Sequence, residues 1–498
     1  MATDSGLCLS SSYISDTMTA DHTENSYGNI LRRITAFGGV QLFNIFVALV
    51  RGKFVAMFLG PEGMGISSLF TSSTDTLRQF AGLGLNLSIV KEVSAAKDDA
   101  DAMGRVMAVA VRLTVITSLA GAALCFLLSP LLSRWTFGNA GYTLGFMLLS
   151  LSVALSVASS CYMALLQGAG AVRQLVKASV VGGLSGLVFG VPLYYYFGVR
   201  GIVPAIIILS CSTFLFNYVS FRHRGYPVAR LAGSLKTPLV RRLLSTGAVL
   251  MAGALAGTLT GYLINMYVRY SGSVADVGLF QAANSITNQY MGIVFSALAL
   301  DYFPRLSAAA ADRERFDMVV NRQIEIVSLI AVPLVIALVG TAPLLIRLLL
   351  TESFMPVVAL IKWMGVGILS QALYFPVGYM FIARDNRRLY MWVEVVVGSL
   401  LRLGFAVLFY TVAGLTGLGV SFVVTSVVTN VIGYVAVRRA YSFRLTGRNI
   451  RRCIVAAAVA GVTFAASMTA VTSYTVIPLL FVASAVYAFV ALRRKVQL

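Results

Sequence analysis

The sequence predicts an all-α integral membrane protein of about fourteen transmembrane helices, with two pseudo-symmetric six-helix bundles around a central cavity and a further C-terminal helix pair. Three observations carry this reading. Of 498 residues, 58% are hydrophobic and only 12% are charged, a balance far from that of soluble domains. Apolar stretches of about 20 residues, the length that crosses a bilayer as a helix, recur between short polar turns. Finally, 29 of the 39 Lys and Arg residues fall in one set of alternate loops and four (Arg134, Arg200, Arg269, Arg347) in the other, the asymmetry that the positive-inside rule describes.

Hydropathy, with Gly and Pro as punctuation, centres the helices near residues 46, 76, 118, 153, 186, 210, 255, 290, 334, 368, 400, 426, 461 and 483. Strand-like alternation is absent, which argues against a β-barrel. Twelve helices would leave "IVAAAVAGVTFAASMTA" and "VIPLLFVASAVYAFVAL" without a place. An even number puts both termini on the basic, cytoplasmic side. Residues 1–29, rich in Ser, Thr and Asp, lack the basic and apolar regions of a signal peptide and read as a disordered cytoplasmic tail. Residues 30–222 form the N-terminal lobe, 223–240 a basic cytoplasmic linker, 241–440 the C-terminal lobe, and 441–498 the extra pair with a basic tail.

Both lobes begin on the same side, as repeats related by an axis along the membrane normal do. "GMGISSLFTSSTDTL" (63–77) and "DVGLFQAANSITNQY" (276–290) echo one another faintly. Glycines at four-residue spacing (Gly182, Gly186, Gly190 and Gly253, Gly257, Gly261) read as sites of close helix packing.

Several function classes fall away. A net charge of +20 would suit nucleic acid only if the cations shared one folded face with aromatics between them, and here they are spread over loops. The five cysteines show no C-x-x-C spacing, and His22 and His223 lie in polar segments, so neither a metal centre nor a disulfide framework is expected. No G-x-x-x-x-G-K-[ST] motif is present, which leaves an ion gradient or membrane potential to drive any transport.

An ionised group at the bilayer centre costs at least about 2.5 kcal/mol, so intramembrane charges are the informative residues. Arg51 and Lys53 interrupt "FNIFVALVRGKFVAMFLG", 18 residues after Arg33, a rise of about 27 Å. They either snorkel to the outer headgroups or face a cavity, and being two apart they project to different faces. Asp75 and Arg78, near mid-membrane and three apart on one helix face, are an internal ion pair or part of a wet cavity. Arg402 reaches a similar depth without an acid three or four positions away, and Lys362 is shallower. Asp301, Glu325 and Glu394, beside Arg305, Arg322 and Arg388, read as interfacial anchors. Gln281, Asn284 and Asn288 form one stripe, for interhelical hydrogen bonds or a ligand. Gln371 and Tyr374 stand just before Pro376, which should kink its helix. A cavity with several cations, few anions and many hydroxyl and amide groups suits a large anionic ligand bearing hydroxyls.

The runs "GLFQAANSITNQYMGIVFSALALDYFPRLS" (278–307), "LVRGKFVAMFLGPEGMG" (49–65) and "FPVGYMFIARDNRRLYMWVEV" (375–395) resemble bacterial lipid-linked oligosaccharide flippases, of the polysaccharide, O-antigen and enterobacterial common antigen type. The likeness spans about residues 31 to 440. It implies the multidrug, oligosaccharidyl-lipid and polysaccharide exporter fold, a cationic cavity, and alternating access that moves an undecaprenyl-diphosphate-linked oligosaccharide across the bacterial inner membrane. Arg51 sits where the related lipid II flippases carry an arginine, which implies contact with the diphosphate. Many such flippases have twelve helices, so the role of the last two is open.

This reading gives a transporter without covalent chemistry or cofactor, for a lipid-linked oligosaccharide handed on to glycan polymerase and chain-length partners. Substrate contacts are assigned to Arg51, Lys53, Arg78, Arg402, Lys362, Gln281, Asn284, Asn288, Gln371 and Tyr374, and ion coupling to Asp75. The rivals are a cation-coupled multidrug exporter, a lipid II flippase and, less well supported, a membrane glycan polymerase.

Overall fold

The computed structural model describes residues 21–226, 238–310, 312–384 and 386–496. Among these residues the chain is helical, with no strand. The N-terminal lobe holds α1 (Asp21–Ala81), α2 (Leu85–Ala95), α3 (Ala100–Leu127), α4 (Ser129–Phe137), α5 (Thr143–Gly168), α6 (Val172–Val188), α7 (Gly190–Phe197) and α8 (Ile202–Arg222). The C-terminal lobe holds α9 (Pro238–Ser271), α10 (Val274–Ala308), α11 (Arg313–Leu349), α12 (Val357–Ala383), α13 (Arg387–Tyr390) and α14 (Gly398–Tyr441), and is followed by α15 (Gly447–Ala466) and α16 (Ala470–Val496). Helix α1 begins inside the segment expected to be a tail. Residues 1–20, residues 227–237 of the linker, and the side chains of Arg32, Arg33 and Asp301 lie outside the described residues.

The 61 residues of α1 would run about 90 Å as one straight helix, some three hydrocarbon thicknesses. Gly60 divides it. Its φ of 63° and ψ of −170° suit only glycine, and Pro61 follows with no N–H to continue the ladder. Gly414, at φ 56° and ψ −137°, divides α14 in the same way. Among the described residues eight segments are long and apolar enough to span a membrane, and the bent Pro238–Ser271 adds a ninth. Phe43–Ala81, Arg173–Arg222 and Arg387–Tyr441 hold 39, 50 and 55 residues, room for two crossings each. With α10 and the shorter apolar stretch Thr475–Ala491, the helices supply about fourteen crossings. This is a multi-pass membrane protein.

The lobes meet backbone to backbone at two levels. Near the Gly60 break a Cβ on Gly65 would stand 1.9 Å from the Val274 carbonyl oxygen, and one on Gly278 would stand 1.9 Å from that of Pro61. The two glycines occupy matching places in the faint internal echo. Toward the basic side, Gly84 (φ 64°) lies against the Gly247 carbonyl, and Arg242 of α9 pairs with the buried Glu92 of α2.

Within the C-terminal lobe one core cluster joins α10, α11 and α12 and takes in Ala456 and Ala460 of α15. Ile477 of α16 packs into the space left by Gly340 of α11, 2.4 Å from where a Cβ would stand. The last helix pair is therefore docked on the outer flank of α11 and α12. Two of the sequence runs that carry the family resemblance meet here. The fully buried Tyr302 of "DYFPRLS" donates its hydroxyl to the Pro376 carbonyl at 2.7 Å, and α12 continues through Pro376 as helix.

Gly278→Ala should force the lobes apart at Pro61 and cost about 1–3 kcal/mol by overpacking. Gly261→Ala, with nothing within 4 Å of the new Cβ, should be neutral or stabilise by up to about 1 kcal/mol. Thermal unfolding of the two purified variants in detergent reads the difference in sign.

Candidate functional site

A cavity of about 690 Å³ is walled by α1, α5, α6, α7, α8 and one face of α10. The run "SSLFTSSTDTLR" turns its polar side to it. Thr71 and Thr74 donate to the carbonyls of Ser67 and Phe70 at 2.7–2.8 Å, four residues back on their own helix. Their donors are thus spent locally, which leaves oxygen lone pairs as acceptors. Across the cavity Ser152, Ser156 and Ser210 form a hydroxyl cluster, with Ser210 at 2.6 Å from Ser152 and 3.2 Å from Ser156.

Asp75 and Arg78 line this cavity and pair at 3.1 Å, their side chains 41% and 43% exposed. The ion pair read from their spacing is present, and it opens on the wet space, so both readings of the motif hold together. Arg51 lines the same cavity, and among the described residues no carboxylate pairs with it. Its guanidinium lies over Gly186, where a Cβ would be 3.2 Å from Nη1. Gly182, Gly186 and Gly190 all face the cavity. The stripe expected to pack helices does so at Gly182, against Thr213 of α8, while Gly186 both touches Leu209 of α8 and clears room for the arginine.

A second cavity of about 420 Å³ lies inside the C-terminal lobe between α9, α10, α12 and the region from Tyr390 to Asn430. Arg402, Gln371, Tyr374 and Asn284 line it, as do Gly253 and Gly257. Glu394, expected as an interfacial anchor, also lines it and accepts the Tyr374 hydroxyl. It sits in a π-helical stretch, Met391–Val397, the wide winding that recurs where a helix re-aims a side chain. Gly433 makes room for that hydroxyl, since a Cβ there would fall 1.8 Å from the Tyr374 oxygen. The single chamber expected to gather Arg51, Arg78 and Arg402 is thus replaced by two cavities, with Arg402 in the second.

Helix α10 separates them, and this splits the expected Gln281–Asn284–Asn288 stripe. Gln281, Ser285 and Gln289, four apart, face the first cavity, and Asn284 faces the second. Asn288 lines neither and donates to Asn284 Oδ1 at 3.0 Å. Gln289 was missed because the sequence does not say which edge of the polar stripe meets which lobe. The two lysines are also away from the cavities. Lys53 donates to the Leu348 carbonyl at 2.7 Å and Lys362 to that of Ser467. Both carbonyls lie at helix C-termini, where the last turn has no intrahelical donors and a cation is favoured. Glu325 binds Arg452 of α15 at 2.6 Å, which ties the extra pair to α11.

Among the described residues no three His, Cys, Asp or Glu side chains converge as metal ligands. Two helical lobes that share an interface and enclose polar cavities within a membrane are the layout on which alternating-access transporters are built. The comparisons agree. Residues 54–359, more than half of the chain, match the family described as "Polysaccharide biosynthesis protein", and the chain belongs to that family. It is 24% identical over 366 residues to the lipid III flippase of Escherichia coli (strain K12), covering 71% of this chain and 85% of that one. In fold it is similar to an inward-facing multidrug resistance MATE family transporter of the MOP superfamily (TM-score 0.70, 18% identity, 81% of this chain and 98% of that chain). It is equally similar to the lipid II flippase MurJ in an inward closed conformation (TM-score 0.70, 13% identity, 94% and 100% covered).

Cysteines placed at Ser156 and Gln281 should react readily with a hydrophilic thiol reagent, while the native, buried Cys125 and Cys161 stay protected. Adding Gly186→Leu should slow labelling at both introduced sites by filling the space beside Arg51. Rates followed by mass spectrometry check this.

Proposed function

We propose that the protein is a flippase that moves an undecaprenyl-diphosphate-linked oligosaccharide from the inner to the outer leaflet of the bacterial inner membrane, with both termini in the cytoplasm. The observation that carries this reading is the charge balance of the first cavity. Arg78 is neutralised by Asp75, and Arg51 is left as a cation in a hydroxyl-lined space. Such a site favours an anion flanked by sugar hydroxyls. A guanidinium fork matches phosphate oxygens, while Ser, Thr and Gln side chains match the glycan. The names of the relatives, a lipid III flippase and a lipid II flippase, support the same substrate class. A cation-coupled drug exporter would call for carboxylates in excess, and the lipid II reading differs only in the glycan.

In this scheme the diphosphate binds Arg51, with Arg78 freed to join it when Asp75 takes a proton or another cation. The glycan occupies the polar cavity and the prenyl chain lies in lipid. Rocking of the lobes then exposes the site to the other leaflet. Asp75 is the coupling carboxylate in the first cavity, and Glu394 is its counterpart in the second. An H⁺ or Na⁺ gradient supplies the drive, and polymerase and chain-length partners receive the product.

Arg51→Ala should lower delivery of lipid-linked glycan to the outer leaflet by roughly ten- to a hundredfold, the worth of a charge-assisted hydrogen bond of about 1.5–3 kcal/mol. Arg51→Lys should recover only part of the loss, and Arg134→Ala, at an exposed position, should show no loss. Normal delivery by Arg51→Ala and Arg78→Ala together would remove the phosphate site. Asp75→Asn, which leaves Arg78 free to join the diphosphate, should tighten substrate binding but make delivery insensitive to collapse of the ion gradient, as measured in proteoliposomes.

A further inference from the structure

A third cavity, of about 560 Å³, lies between α11, α15 and α16 and shares no lining residue with the other two. We propose that this groove is a binding site for an anionic phospholipid of the leaflet on the basic side, held as a resident lipid and not as transported cargo.

The mouth is cationic. Arg448, Arg451 and Arg452 line it, and their i, i+3, i+4 spacing puts them on one face of the first turns of α15. Arg452 is fixed by Glu325 at 2.6 Å. Arg448 and Arg451 are exposed, and no carboxylate among the described residues pairs with either. One acid against three guanidiniums leaves the mouth positive. Deeper in, the wall becomes apolar, with Val332 of α11, Val459 of α15 and Leu480 of α16. Val459 lies eight residues beyond Arg451, about 12 Å along the helix. The site therefore presents a positive entrance over a greasy slot. A free anion gains nothing from such a slot and a neutral lipid nothing from the arginines, whereas a negatively charged headgroup with an acyl chain uses both. Basic pockets between membrane helices recognise anionic lipids in this way.

Position sets the groove apart from the diphosphate site. Glu325, which holds Arg452, and Leu349, which lines the first cavity, stand 24 residues apart on α11, a rise of about 36 Å. One diphosphate cannot reach both. The inference is independent of which glycan is carried, and its failure would leave the flippase reading untouched.

The test is native mass spectrometry of the purified full chain with phosphatidylglycerol, phosphatidylethanolamine, undecaprenyl diphosphate or inorganic phosphate, with a thermal unfolding series alongside. The wild type should retain phosphatidylglycerol selectively and be stabilised by it. The double variant Arg448→Gln, Arg451→Gln should bind that lipid about thirtyfold more weakly, at about a factor of five per basic residue. Its melting without added lipid should match the wild type. Val459→Trp, which fills the slot and keeps the arginines, should also lose retention. Equal retention of phosphatidylethanolamine, or retention unchanged in both variants, would overturn the proposal. So would displacement by undecaprenyl diphosphate at equal concentration, which would make the groove part of the substrate path, or equal stabilisation by inorganic phosphate, which would reduce it to an anion site.

Discussion

A guanidinium inside a bilayer persists only where water, an anion or a hydrogen-bonding wall replaces the hydration it has lost. Much of the first cavity is arranged around that requirement. Arg78 meets it with Asp75 at 3.1 Å. Arg51 has no such partner among the described residues, and what surrounds it is space and hydroxyls. The space comes from Gly182, Gly186 and Gly190, and the hydroxyls from Ser and Thr on α1, α5 and α8. The same stripe lets α6 approach Thr213 and Leu209 of α8 and leaves room for the charge at Gly186.

Lysines meet the same cost by another route. An ammonium is a compact point charge with three donors, and the last turn of a helix offers carbonyls that lack donors. Lys53 finds such a carbonyl at Leu348 and Lys362 at Ser467. Each thereby closes the end of a neighbouring helix. Arginine takes both routes: Arg51, Arg78 and Arg402 line the cavities, while Arg269 donates to the Phe137 carbonyl at the end of α4 as the lysines do elsewhere. The breaks in the long helices obey the matching backbone constraint. At Gly60 and Gly414 the chain leaves helical geometry, at ends where water or another helix can satisfy the freed groups.

Fold class, helix positions and the cationic character of the interior were legible in the sequence because they rest on local quantities: apolar length, loop charge and depth along a helix. The Asp75–Arg78 pair was legible because both partners share one helix face. What stayed hidden depends on partners far away in sequence. Lys53 and Lys362 looked like candidate ligands because the carbonyls they cap belong to α11 and α15. Glu394 looked like an anchor beside Arg388 because the π-helical stretch that carries it toward Tyr374 shifts the residue phase expected of a regular helix. The glycine stripes were assigned to packing because spacing alone does not distinguish a helix that approaches a backbone from one that borders a void. At Gly65 and Gly278 the first holds, and at Gly186 and Gly257 the second.

Helix α10 is where these features come together. Its Gln281, Ser285 and Gln289 face the cavity of the N-terminal lobe, while its Asn284 faces that of the C-terminal lobe. At its start Gly278 rests on the Pro61 carbonyl. The joint sets backbone against backbone, with the side chains of Ile66 and Leu69 on α1 packed in one buried cluster with Val277 of α10 around it. In a rocking cycle of the proposed kind, a turn of α10 about that joint changes the walls of both cavities at once. Binding of an anion beside Arg51 and a change of charge at Asp75 or Glu394 then act on one rigid element. Coupling between two separate polar sites needs a shared body whose position both of them bias, and α10 is the helix placed to be it.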